Sequence, residues 1–355
     1  MSNFLQSVRG ALILGVAVGV IGVLALLFAE PFYQRIVFIF MVNLIAVIGL
    51  QVFMGNADIT NYGHISFMGI AAYAVAILAT PAAIKKTSLA TAPFGLGTIE
   101  VALPIAILIA LALTVLIAFL VGTMLVRQSG TPASIATLAL LVIVHVVIMN
   151  WVDLTRGPRA IYGIPVKATL GMATICAILA IVAARLFRDS SWGLQLRAAS
   201  ENIAAASAMG VRIKRLRLVA WVVSAAICGV AGILFALFVG TISPKSFYFD
   251  LTFLTLAMLV VGGAYSVSGA VLGSIVVTFG FEIMRYLENG PQIVGLKLPT
   301  MFGLTGIFLG AIIVLCMILR PRGLVGDDEI DEIWRRRSKN RERSEISANA
   351  SGAAQ

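Results

Sequence analysis

Residues Phe187–Leu218 read FRDSSWGLQLRAASENIAAASAMGVRIKRLRL and stand between two apolar runs, near 168–187 and 217–240. A bilayer core about 30 Å thick takes roughly 20 helical residues, so the flanking runs belong in lipid and the arginine-rich stretch does not. Within it Leu194, Ala198, Ala199, Ile203 and Met209 fall at helical spacings, and alanine is the best helix former. Gly210 stands where a helix stop is expected. Glu201 is read as lying in the first half of a single helix, where the macrodipole favours an anion, and the arginines follow its end, where cations are favoured. The pattern predicts a short helix projecting from a membrane domain, a shape that a soluble partner can grip.

Outward from this segment the same apolar texture repeats. Runs of membrane length lie near 10–29, 35–54, 63–80, 103–126, 132–151, 168–187, 217–240, 249–264, 269–288 and 300–319. The third and eighth are short and carry glycine and polar residues, so they are expected to be broken or only partly spanning. Hydrophobic residues make up 60% of the 355 and charged residues 12%, about half the charged fraction of a soluble domain. The predicted fold is therefore all-α, a polytopic membrane bundle of about eight to ten spans. The first run follows only Arg9 and has no small-residue cleavage site, so it is read as a retained span. The expected division is a membrane domain over 1–326, with its projecting loop at about 188–216, and a charged, disordered tail over 327–355.

The net charge of +10 does not indicate nucleic-acid binding, because the basic residues cluster at span ends, as cytoplasmic loops do. The central loop carries Arg185, Arg188, Arg197, Arg212, Lys214, Arg215 and Arg217 against Asp189 and Glu201, and a second basic group follows Pro321. Placing both groups inside requires an even number of intervening spans; four are counted, which puts both termini in the cytoplasm. Lys85, Lys86, Arg156, Arg159 and Lys167 then fall outside, as exceptions to a statistical rule.

Several absences narrow the function. No Gly-Lys dipeptide occurs, so a phosphate-cradling GxxxxGK[ST] loop is ruled out and any nucleotide-driven work needs another chain. HExxH and GxSxG are missing, and the two histidines, His64 and His145, stand alone. No catalytic pair, metal site or cofactor site is read. Cys176, Cys228 and Cys316 each lie inside an apolar run and read as small buried hydrophobes. Polar groups at membrane depth are the remaining signal, since they are costly and face protein or a water-filled path. Asn56, Asp58, Asn61, His64, Ser66 and Tyr73 are such groups in a glycine-bearing segment suited to a broken helix, whose freed backbone can meet a solute. A similar texture recurs at Gly262-Gly263-Ala264-Tyr265-Ser266-Val267-Ser268-Gly269. The candidate pathway residues are Asn61, His64, Ser66, Tyr73, Gly262, Gly263 and Ser268. The competing reading is close helix packing through small residues, with Gly269–Gly273 and Gly15–Gly19 as GxxxG spacings. Glu282 and Arg285 are expected to pair on one helix face.

Five stretches carry a family resemblance: GNADITNYGHISFMGIAAYAVAIL from Gly55, NWVDLTRGPRAIYGIP from Asn150, GLQLRAASENIAAASAMGVRIKRLRLVAWVVSA from Gly193, VGTISPKSFYFDLTFLTLAMLVVGGAYSVSGAVLG from Val239, and ILRPRGLVG from Ile318. Each alone is weak; in this order, from about Gly55 to Gly326, they are specific. The chain resembles the LivM-like permease subunits of branched-chain (hydrophobic) amino-acid ABC importers. It departs at Arg159-Ala160, where the family usually has Asn-Gly, and at Ser200-Glu201-Asn202, which replaces a more acidic run.

The resemblance implies a non-catalytic permease subunit in the bacterial inner membrane, forming half of an alternating-access channel. It implies a second permease subunit, two cytoplasmic ATPase subunits that use the ATP, and a periplasmic or lipid-anchored binding protein. Arg197, Glu201, Ala205 and Gly210 are the residues expected to meet the ATPase. Two alternatives stay open: the same machine with urea, short amides or small aromatic or organic acids as cargo, and a self-sufficient secondary transporter.

Overall fold

The computed structural model describes residues 2–88, 92–290, 292–293, 296–297, 303–320, 322–326, 329 and 331–332. Every apolar run of the sequence is a helix in it. The helices are α1 (Ser2–Phe28), α2 (Pro31–Ala57), α3 (His64–Ala79), α4 (Ala82–Ser88), α5 (Leu103–Leu125), α6 (Thr131–Asn150), α7 (Val152–Thr155), α8 (Leu170–Asp189), α9 (Ser191–Glu201), α10 (Ile203–Ala208), α11 (Ile213–Val239), α12 (Phe249–Gly262), α13 (Val267–Glu288) and α14 (Leu304–Leu319). Among the described residues eight helical segments are long and apolar enough to cross a membrane, and α3 and α14 are shorter apolar helices.

The bundle is built around α2 and α3. α11 packs against α2, α3 and α5; α8 lies between α1 and α2; α12 and α13 form a pair that α14 flanks. The outer helices face their small residues inward. In α5 the buried residues are Ala106, Ala110, Thr114, Ala118 and Gly122, four apart, while Leu108, Leu116, Phe119 and Leu120 point out. Large apolar side chains gain nothing by leaving lipid for another apolar surface, whereas small ones let backbones approach and gain dispersion contacts. Gly15 and Gly19 of α1 accordingly sit against Ile178 of α8. The buried Trp221 of α11 packs between Phe53 and Phe67 and donates from Nε1 to the Ala118 carbonyl at 3.1 Å.

The ends of the bundle differ in character. At one end Ile161–Tyr162 (β1) pairs antiparallel with Thr241–Ile242 (β2), so the loops 152–167 and 241–248 are joined rather than separate. Lys85 is buried there, its Nζ donating to the carbonyls of Leu78 and Ile99 at 3.2 and 2.6 Å. Arg156 donates to the Ala160 carbonyl and covers the Tyr162 ring. Of the five charges expected as exceptions, Lys85 and Arg156 are thus held by local contacts. A second strand pair, Gln292–Ile293 (β3) with Leu296–Lys297 (β4), lies between α13 and α14.

The opposite end gathers the α1 segment around Gly10, the α8–α11 connection and residues 322–326, 329 and 331–332; the hydrogen of Gly10 points at the Asp331 carboxylate. A boundary after 326 falls inside this packed end, because Glu329 is fully buried. Of the tail expected to be disordered over 327–355, residues 327–328, 330 and 333–355 lie outside the described residues. Glu282 and Arg285 do pair, at 3.4 Å, but Arg285 is exposed, so the pair relieves no burial.

Candidate functional site: a broken helix in the bundle and a protruding helix pair

The break between α2 and α3 enters the interior. α2 ends at Asp58, held at φ 51°, whose carboxylate accepts from the Tyr265 hydroxyl at 2.6 Å. The chain then runs non-helically to His64, whose Nε2 lies 2.7 Å from the Thr255 hydroxyl. Thr255 is seven residues before α12 stops, so α3 starts about 10 Å inside that end. The expectation of a broken third span is met, and the reason is local. Asn61 turns its Oδ1 onto the Gly63 N–H at 2.8 Å, and the Cα hydrogen of Gly63 faces the Thr137 carbonyl, which a Cβ would meet at 2.8 Å.

His64 is tied rather than free. A neutral ring satisfies both contacts, with Nδ1–H donating to the Asn61 carbonyl at 3.1 Å and Nε2 accepting from Thr255. Thr255→Val leaves a buried ring nitrogen without a partner, so thermal unfolding in detergent is expected to show a loss of about 1–3 kcal/mol. Unchanged melting would show that the tie carries no load.

Around this break several buried polar atoms have no hydrogen-bond partner among the described residues: both amide atoms of Gln51, Oδ1 of Asn56, Nδ2 of Asn61, Oγ of Ser66 and the hydroxyl of Tyr73. Each such atom costs about 1–3 kcal/mol unless water or a solute meets it, so the α2–α3 unit carries polar groups that the described residues do not satisfy. Asn61, Ser66 and Tyr73 were legible as candidates; Gln51, one polar residue in an apolar run, was not singled out.

Gly262, Gly263 and Ser268 are occupied differently. A Cβ on Gly262 would lie 1.9 Å from the Gly269 carbonyl oxygen, and Gly263 turns at φ 118° beneath the Arg322 and Gly326 carbonyls. Leu324 and Val325 donate their N–H groups to the carbonyls of Val261 and Gly262. Ser268 gives its N–H and hydroxyl to the Glu329 carboxylate. The small residues therefore serve close packing, and the Arg-Pro-Arg-Gly-Leu stretch docks on the Gly-Gly turn.

Glu329 is the hub of this end and was not anticipated. It caps α13 through Val267 N–H at 2.9 Å and lies 2.8 Å from Arg185 Nη1 and 3.3 Å from Arg188 Nε. Arg185 reaches Asp189 and Asp331 as well; the contacts of its Nε and Nη1 are charge contacts without hydrogen-bond alignment. Arg185 and Arg188, read as loop charges, are buried. Burial alone would push the Glu329 carboxyl up, but the Arg188 and Arg185 guanidiniums and the Ser268 hydrogen bonds outweigh it and hold the group below the usual carboxylate range.

The projecting element is two helices rather than one. Asn202 ends α9 and caps α10, its Oδ1 accepting from Ala205 N–H at 2.9 Å. Glu201 is consequently the last residue of α9, at the end where the dipole disfavours an anion. The missed signal was Asn202, a strong N-cap residue. Gly210 stops α10 as expected: at φ 79°, it donates to the Ser207 carbonyl and Val211 donates to that of Ala206, the paired bonds of a Schellman turn. No residue of α10 is buried and Met209 is 85% exposed. Glu201, Ala205 and Gly210 share this exposed surface, whereas Arg197 turns inward. Burial, and then the charge of Arg188, push Arg197 down to about 10.

An apolar-faced bundle with a polar break inside it and a helix pair held clear of it is the build of a multi-pass membrane protein. Residues 32–317 match the family described as the permease component of the branched-chain amino acid transport system, and the chain belongs to that family of transport permeases. The high-affinity branched-chain amino acid transport system permease protein LivM of Escherichia coli K12 is 27% identical over 80% of this chain and 68% of its own length. The probable permease protein LivH of Methanocaldococcus jannaschii is 29% identical over 46% of this chain and 50% of its own. The Autoinducer 2 import system permease protein LsrC of Salmonella paratyphi B is 30% identical over 49% and 52%. No solved structure matches.

Proposed function

We propose that this chain is the membrane-spanning permease subunit of an ATP-binding-cassette importer in the bacterial inner membrane. Its cargo is branched-chain or other small hydrophobic amino acids, and it forms half of the translocation channel. The α9–α10 pair carries this reading, because α10 is a short helix with no buried residue, held at the charged end of the bundle. One of two cytoplasmic ATPase subunits seats on Ala205, Gly210 and Glu201, a second homologous permease completes the channel and seats the other, and a periplasmic or lipid-anchored protein delivers substrate to the β1–β2 end. Both termini are cytoplasmic. Polar groups along α2–α3 line the path, with Asn61 and Ser66 at the break and Tyr73 further along α3. The chain itself performs no covalent chemistry.

Proteoliposomes containing the two permeases and the ATPases are expected to take up leucine only with ATP and binding protein. Ala205→Glu and Gly210→Phe, both on exposed surface, should leave the protein inserted while uptake falls at least tenfold and ATP hydrolysis continues. Normal uptake by both variants would remove α10 from the coupling role; uptake driven by an ion gradient without the ATPases would overturn the importer reading.

A further inference from the structure

A polar cavity of about 590 Å³ opens at the charged end of the bundle, between the start of the broken segment and α9. Its charged lining is Asp58, Arg188, Arg197, Glu201, Arg322 and Glu332. The volume is within the range of small-molecule sites, about 300–1,000 Å³. Three guanidiniums face three carboxylates, so the lining has no net charge. A polyphosphate or an anionic lipid headgroup would meet as much repulsion as attraction there. A small zwitterion meets complementary charge at both its ends.

Two further features give the cavity a direction. The Nη1 of Arg197 is buried and has no hydrogen-bond partner among the described residues, so one arm of a fork suited to a carboxylate is unused. Asp58 is fixed across the cavity by the Tyr265 hydroxyl through Oδ1, and it begins the non-helical stretch that leads to Asn61 and His64. The cavity is thus continuous in sequence with the interior break while facing the end that bears α9 and α10.

We propose that this cavity is a release site for a free amino acid, with its α-carboxylate on Arg197 and its α-ammonium on Asp58. The proposal rests on the amino-acid transport reading above and adds a second, inner binding station to it. Occupation from the cytoplasmic side would then oppose further release, so imported substrate restrains its own import.

Titration calorimetry on the full-length chain in detergent tests this with four probes: L-leucine, leucinamide, 4-methylpentanoate and inorganic phosphate. Leucine is expected to bind, and leucinamide (no carboxylate) and 4-methylpentanoate (no ammonium) at least tenfold more weakly. Arg197→Gln should weaken leucine at least tenfold, and Asp58→Asn should do the same while leaving 4-methylpentanoate unchanged. The second variant keeps the test decisive if the first does not fold. Leucine affinity unchanged in both variants, equal binding of either analogue, or phosphate outcompeting leucine would overturn the proposal. Leucine uptake by the assembled importer without leucine binding here would overturn this site alone. Absence of amino-acid uptake would instead overturn the transport reading, whatever binds in the cavity.

Discussion

Replacing Glu329 with glutamine is expected to be among the most damaging single changes in the chain. The carboxylate is fully buried and stands against Arg185 and Arg188, themselves buried, while it also caps α13. Removing one partner of such a cluster leaves guanidinium charge uncompensated in a dry place, at a cost of about 3–5 kcal/mol. Asp189, Asp331 and Glu332 soften the loss, because Arg185 and Arg188 contact them too. The measurement is thermal unfolding of the wild type and Glu329→Gln in the same detergent. A pH series adds an independent readout. The carboxyl is held below its ordinary value in the folded state, so its contribution is complete above the unfolded value of about 4.3 and disappears as pH falls through the lower folded value. The variant should lack that acid-side decline. A variant that melts like the wild type and keeps the same decline would show that the cluster does not hold this end together.

Gly273→Ala is expected to prevent α12 and α13 from closing. A Cβ at position 273 would lie 1.9 Å from the Met258 carbonyl oxygen and 2.6 Å from the Gly262 nitrogen, both backbone atoms that cannot rotate aside. Overpacking costs about 1–3 kcal/mol where side chains can yield, and more where only backbone can. The same substitution at Gly306 of α14 meets nothing within 4 Å and should be neutral or slightly stabilising, because alanine is the better helix former. Comparing yield and monodispersity of the two variants isolates the contact from the general effect of adding a methyl group. Equal behaviour would mean that the crossing is not tight.

How far the molecule could be read in advance depended on the range of the interaction. Apolar runs and glycine stops are local, so each predicted span became a helix, the third was recognised as broken, and Gly210 ended α10 as its position implied. The split at Asn202 was also local and was missed because the alanine pattern continues across it, moving Glu201 from the start of one helix to the end of another. The Glu329 cluster was out of reach for a different reason. Arg185 lies about 140 residues from its partner in a chain where 16 acidic and 26 basic residues leave many pairings open, and spacing carries no information about which one forms. The pairing of β1 with β2 is also long-range, between two-residue strands too short to show a pattern. Asn61, His64, Ser66 and Tyr73 were visible because a polar side chain in an apolar run is conspicuous. Whether each is satisfied or waiting for a partner became apparent only when Thr255 was brought to His64.

The ladder between β1 and β2 has a mechanical meaning. Together with the bonds from Ile164 to Gly240 and from Lys167 to Leu237, it fastens the head of α8 to the foot of α11, two helices whose other ends are connected along the chain by α9 and α10. Both helices also lie along α2, so the strand-bearing end is held by backbone hydrogen bonds in addition to side-chain packing. The proposed push on α9 and α10 would act at the end without such a ladder, which leaves the β1–β2 loops the more firmly fastened part of the two helices.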